Sequence, residues 1–135
     1  MIHGGENSLG KGTVIAQLYT AREALPLEDV AVAVMQERDG AQVLVAFRST
    51  DANGKTEPVE IETPPEEASK SPSETRPFGV CNLRIYHPDY YGVVVRDVSV
   101  FEGQQSIEYL ELIPLPENVR EEEKNIFYEI TPPEL

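Results

Sequence analysis

Apolar side chains in this chain recur at every second position, in short runs, and never at the spacing of a long amphipathic helix. Val14, Ala16 and Leu18 alternate with Ile15, Gln17 and Tyr19. Val30, Val32 and Val34 alternate with Ala31, Ala33 and Met35, and Cys81, Leu83 and Ile85 with Asn82, Arg84 and Tyr86. Period two belongs to a strand, whose successive side chains leave opposite faces. Turn signals part the runs: Arg38-Asp39-Gly40, Asp51-Ala52-Asn53-Gly54 and Glu102-Gly103-Gln104. Short strands with turns at near-regular spacing build a sandwich or a barrel. With 135 residues there is material for one core and not for two.

The remaining elements follow from the same pattern. Residues 42–50 read as the return strand of a hairpin. Residues 56–61 read as a short edge strand, because Pro58 cannot donate to a central ladder. Residues 93–100 form one irregular strand or two short pieces. Residues 106–113 form the last strand, closed by Pro114 and Pro116. This divides the chain into a flexible N-terminal arm (1–12), a β-sandwich domain (13–116) and a C-terminal tail (117–135). In the tail, Glu121-Glu122-Glu123-Lys124 precedes Ile126-Phe127-Tyr128-Glu129-Ile130, an apolar piece suited to docking as a strand on the sandwich or on a partner. Residues 63–77 carry Pro64, Pro65, Pro72 and Pro77 with no apolar period. Loops of that length are usually functional or disordered.

Net charge bounds the partners. With 24 acids against 11 bases the chain stands at −13. A phosphate backbone must be neutralised by Lys and Arg, so no nucleic-acid partner and no anionic membrane surface is expected. Excess acid serves solubility first, and a basic partner or a divalent cation second. Cys81 is the single cysteine, so no intrachain disulfide is possible, and Val80 and Leu83 beside it point to a buried, inert thiol. Neither a signal peptide nor an apolar membrane span is visible, which for a complete chain implies a cytoplasmic or spore-associated protein.

Three segments carry a family likeness: Leu25-Pro26-Leu27-Glu28-Asp29-Val30-Ala31-Val32, Thr50-Asp51-Ala52-Asn53-Gly54-Lys55 and His87-Pro88-Asp89-Tyr90-Tyr91. They resemble the Pro-x-x-Gly-Ala-x-Val corner, the Thr-Asp-x-x-Gly hairpin and the Gly-Tyr corner of the carboxypeptidase regulatory-like domain. The resemblance spans about residues 13–116. It implies an all-β, transthyretin-like (prealbumin-like) antiparallel β-sandwich of about seven strands. Asp29 and Asp89 stand where the family has glycine, and Asp tolerates a left-handed backbone better than most residues. A narrower likeness lies in Val100-Phe101-Glu102-Gly103-Gln104-Gln105-Ser106 and Leu112-Ile113-Pro114-Leu115-Pro116-Glu117. These are similar to the non-catalytic sandwich of clostridial-type spore cortex-lytic enzyme precursors, which implies a cell-wall or spore-cortex context.

Chemistry-bearing patterns are sparse. Asp51-x-Asn53-Gly54 sets Ser49, Asp51, Asn53, Glu57 and Glu60 at the spacing of a calcium loop. Ser49 replaces its first acid and the flanks read as strands, so a β-turn is the better reading and Asp51, Asn53 and Glu60 are weak metal candidates. The histidines, His3 and His87, form no His-Glu-x-x-His motif, so no metal or other cofactor is expected. His87 would have to serve any triad, and it reads as a corner residue. The transthyretin-like purine-degradation hydrolases end in Tyr-Arg-Gly-Ser, whereas this sequence ends Thr131-Pro132-Pro133-Glu134-Leu135. No catalytic residue is assigned.

The expectation is a non-enzymatic binding or accessory module in a cell-wall or spore-cortex setting, recognising a protein partner or a cell-wall glycan through loops and an edge strand. Candidate contacts are the loop at 64–77, the corner at Tyr90 and Tyr91, and the tail at Phe127, Tyr128 and Ile130. Two other classes stay open: a structural homo-oligomeric coat component, and an uncharacterised hydrolase built around His87.

Overall fold

The computed structural model describes residues 10–20, 25–64, 78–117 and 127–132. These residues contain eight strands and no helix: β1 (Gly10–Thr20), β2 (Ala31–Arg38), β3 (Ala41–Ser49), β4 (Val59–Thr63), β5 (Gly79–Tyr86), β6 (Gly92–Val100), β7 (Gln105–Leu112) and β8 (Phe127–Ile130). They lie in two sheets, one ordered β4-β1-β7 and the other β3-β2-β5-β6-β8. The all-β sandwich expected from period-two patterning is present.

The alternation sorts the faces. Val14, Ala16 and Leu18 of β1 are buried, and so are Val32 and Val34 of β2, Leu83 and Ile85 of β5, and Val95, Val98 and Val100 of β6. Each inward row meets the row of the other sheet in a single core. Cys81 lies in that core, and burial, aided by the charge of Glu108, pushes its thiol up to about 12. Threonines hold the corners. Thr50 Oγ1 accepts from Val30 N at 3.0 Å and donates to Leu27 O at 2.6 Å, and Thr56 Oγ1 accepts from Ala16 N at 3.1 Å.

Asp29 adopts φ 63, the left-handed state that its place in the corner requires. Asp89 is not among the residues at positive φ. Its amide donates to His87 Nδ1 at 3.0 Å instead. β4 runs over 59–63 rather than 56–61, so Pro58 precedes the strand instead of lying within it; the strand does lie at a sheet edge. β6 is one strand, with its irregularity beside Asp97 at φ 60.

Further details differ from the sequence reading. The pairing is not wholly antiparallel, since β1 runs parallel to β7 and β6 parallel to β8. Strands brought side by side by connections between sheets need not alternate in direction. β1 starts at Gly10 rather than Thr13, with Gly10 opposite Thr63. Gly-Lys-Gly reads as loop, yet Gly12 is required because a Cβ there would run into Phe101 O. The eighth strand is the tail, docked along β6. Residues 1–9 and the loop at 65–77 lie outside the described residues.

Candidate functional site

β8 sets the geometry of the tyrosine-rich margin. In its parallel register Phe127 stands opposite Gly92, Tyr128 opposite Val93, Glu129 opposite Val94 and Ile130 opposite Val95. Alternation sends Phe127 and Glu129 to the outer face of the five-stranded sheet and leaves Tyr128 and Ile130 on the other side, at the sandwich margin. Three contacts seat the strand. Phe127 covers Gly92, and the Arg84 guanidinium lies 5.1 Å from the Phe127 ring centroid. Arg96 forks onto Glu129 at 3.0 and 3.1 Å, which holds that carboxyl below its usual range.

The four aromatic residues singled out in the sequence divide two and two. Tyr90 packs against the core, 5.1 Å from the His87 ring, and bridges to Pro114. Its role is in the corner, as is that of His87. Phe127 is half-buried and serves to anchor β8. Tyr91 and Tyr128 meet edge to face at 5.4 Å and together line a groove of about 270 Å³. Its other walls are Val93, Glu129, Ile130, Glu111 and Ile113. Tyr91 is held there by its amide, which donates to Ile113 O at 2.9 Å. Tyr128 remains 48% exposed and Ile113 49%, so the groove offers apolar surface beside a carboxylate.

The weak metal candidates are placed apart in role. Asp51 Oδ1 accepts from Asn53 N at 2.8 Å and Lys55 N at 3.1 Å, closing its own turn. Glu60 sits on β4 with Lys11 Nζ 3.6 Å from its carboxylate. Ser49 ends β3. Among the described residues no three His, Cys, Asp or Glu side chains cluster as metal ligands. The exposed Asx side chain is occupied by β-turn geometry.

Two features escaped the sequence reading. Glu111 and Ile113 enter the groove from the β7 end, although β7 belongs to the other sheet. On the outer face of the three-stranded sheet Tyr19 and Tyr109 meet at 4.9 Å, beside a second groove of about 300 Å³ lined in part by Gln17, Asn53 and Lys55. Large apolar residues at the outward positions of 105–112, Ile107 and Tyr109, were the available signal.

No protein-family model and no curated protein matches the chain. Solved structures similar to it include two of transthyretin. One, from Sparus aurata, is 17% identical over 72% of this chain and 86% of that one, at a TM-score of 0.40. The other, sea bream transthyretin in complex with thyroxine, is 17% identical over 80% of this chain and 98% of that one, also at 0.40. A 9R-lipoxygenase from Cyanothece is 20% identical over 96% of this chain but 17% of its own length, at 0.32. Overlaps of this size carry no argument about activity. No helix among the described residues is long and apolar enough to cross a membrane.

Proposed function

We propose that the chain is a non-enzymatic recognition module whose contact face is the groove between Tyr91 and Tyr128. The observation that carries this reading is the edge-to-face pair itself, which leaves ring surface, Ile113 and Ile130 open to solvent next to Glu111. Tyrosines combine apolar area with a polar tip at low entropic cost, so such a pair suits the apolar face of a sugar or an extended peptide segment. Glu111 favours a ligand that carries a cationic group. The cell-wall or spore-cortex setting rests on the sequence likeness at residues 100–106 and 112–117 alone.

Retention of the full chain on purified peptidoglycan and spore cortex tests this, with a charge-matched acidic sandwich as control. Retention above control that falls in Tyr128→Ala supports a wall glycan as ligand and locates the face. Retention at the control level removes the glycan and leaves a protein partner as the reading to pursue.

A further inference from the structure

Four strands form the sheet edges: β4 and β7 in one sheet, β3 and β8 in the other. Exposed edges are templates for further pairing, and proteins blunt them with brevity, proline or charge. β4 has five residues, follows Pro58 and bears Glu60 and Glu62. β7 bears Glu108 and Glu111. β8 has four residues and bears Glu129. β3 differs from all three. It is nine residues long, with neither proline nor lysine, and residues 41–50 contain no acid in a chain of 24 acids. Its blunting devices are one charge near its end, Arg48, and a bulge opposite Val34, where Val45 and Ala46 both pack toward the core.

The outer face beside this edge is apolar. Leu44 is 56% exposed and Phe47 59%. They pair across the ladder with Met35 and Ala33, and Tyr86 lies opposite Ala31 on the far side of β2. A rim charge stands at each end. Arg48 lies near the end of β3, where its guanidinium donates to Phe47 O, and exposed Asp39 lies just before its start. Asp51, beyond Arg48, already uses Oδ1 in its own turn.

We infer that two copies of this chain pair antiparallel along β3 about a two-fold axis, joining their five-stranded sheets and covering Leu44 and Phe47. Charge selects the second copy over other occupants. A body at −13 repels its own copies wherever acids face each other, and β3 is the edge where none do. Antiparallel pairing also sets the end of one strand beside the start of the other. Arg48 of each copy then approaches Asp39 of its mate, a self-complementary arrangement that a two-fold interface requires. This contact is remote from β8 and goes beyond the recognition role proposed above.

Sedimentation velocity of the full chain across a concentration series tests the inference. A reversible dimer is expected, with a dissociation constant raised about tenfold or more by Phe47→Lys or Leu44→Lys. Arg48→Glu weakens it, and Tyr128→Ala leaves it unchanged. Both lysine substitutions fall at exposed positions, and thermal melting checks that the variants fold. Hydrogen exchange of the wild-type protein supplies a readout free of mutation, in which β3 amides gain protection as concentration rises. A chain that stays monomeric throughout overturns the inference. So does a dimer indifferent to Phe47→Lys and Leu44→Lys, or one lost equally in Tyr128→Ala.

Discussion

Gly92 on β6 faces Phe127 on β8 so closely that a Cβ at position 92 would lie 2.5 Å from Phe127 Cε2. The glycine is thus the socket of the eighth strand. Phe127 fills the space a side chain would take, and Arg84 closes over the ring. Parallel addition of β8 also covers an edge of β6 that would otherwise be open.

Gly92→Ala is therefore expected to unseat β8 while the sandwich persists, because no β8 residue belongs to the buried core. Crowding at such a contact costs about 1–3 kcal/mol. Hydrogen exchange checks the outcome: amides of residues 127–130 lose protection in the variant while those of β2 and β5 keep theirs. Equal protection of β8 in both proteins would disprove the socket.

Glu108 faces the interior side of β7 and is half-buried, and desolvation raises its carboxyl above the usual glutamate range. A carboxyl whose folded pKa is raised favours the folded state below the unfolded pKa, and that stability is lost as pH rises through the folded pKa. Glu108→Gln should consequently raise the urea midpoint at pH 7 and leave it nearly unchanged at pH 3. An unchanged midpoint at both values would show that the carboxylate is solvated.

The Cys81 thiol, buried and pushed up to about 12, holds almost no thiolate at neutral pH. Alkylation by iodoacetamide is expected to be slow in the native protein and to follow the opening rate as urea is added. Rapid labelling at zero denaturant, comparable to that of a free thiol, would contradict this.

Thr50 Oγ1 joins Val30 N to Leu27 O within one corner. Thr50→Val keeps the shape and removes both bonds, which should cost about 2 kcal/mol in equilibrium unfolding. Thr50→Ser, which retains the hydroxyl, should recover most of that loss.

Much of the fold was legible in local pattern. The rows at Val14, Ala16, Leu18 and at Val32, Val34 announced strands and named their buried faces, because the side-chain period of a strand is a property of the backbone. Asp51-x-Asn53-Gly54 marked a turn for a reason equally local. The candidate site was half legible. Tyr91 and Tyr128 were identifiable as candidate contacts, Tyr91 competing with a buried corner role, but their meeting depends on a parallel register between strands far apart in sequence.

The sequence by itself determined the strand count to within one, the inward rows, the corners and the acidic balance, since each depends on a residue and its near neighbours. Tertiary structure decided the rest. It set the parallel pairings, which follow from which strands the sheets bring side by side, and began β1 at Gly10, two residues before Gly12, whose close approach to Phe101 O leaves no room for a side chain. It also separated Tyr90 and Phe127, used in packing, from Tyr91 and Tyr128, left at the surface. Burial at a sandwich margin depends on what the opposite sheet and the added strand cover, and local spacing contains no record of that.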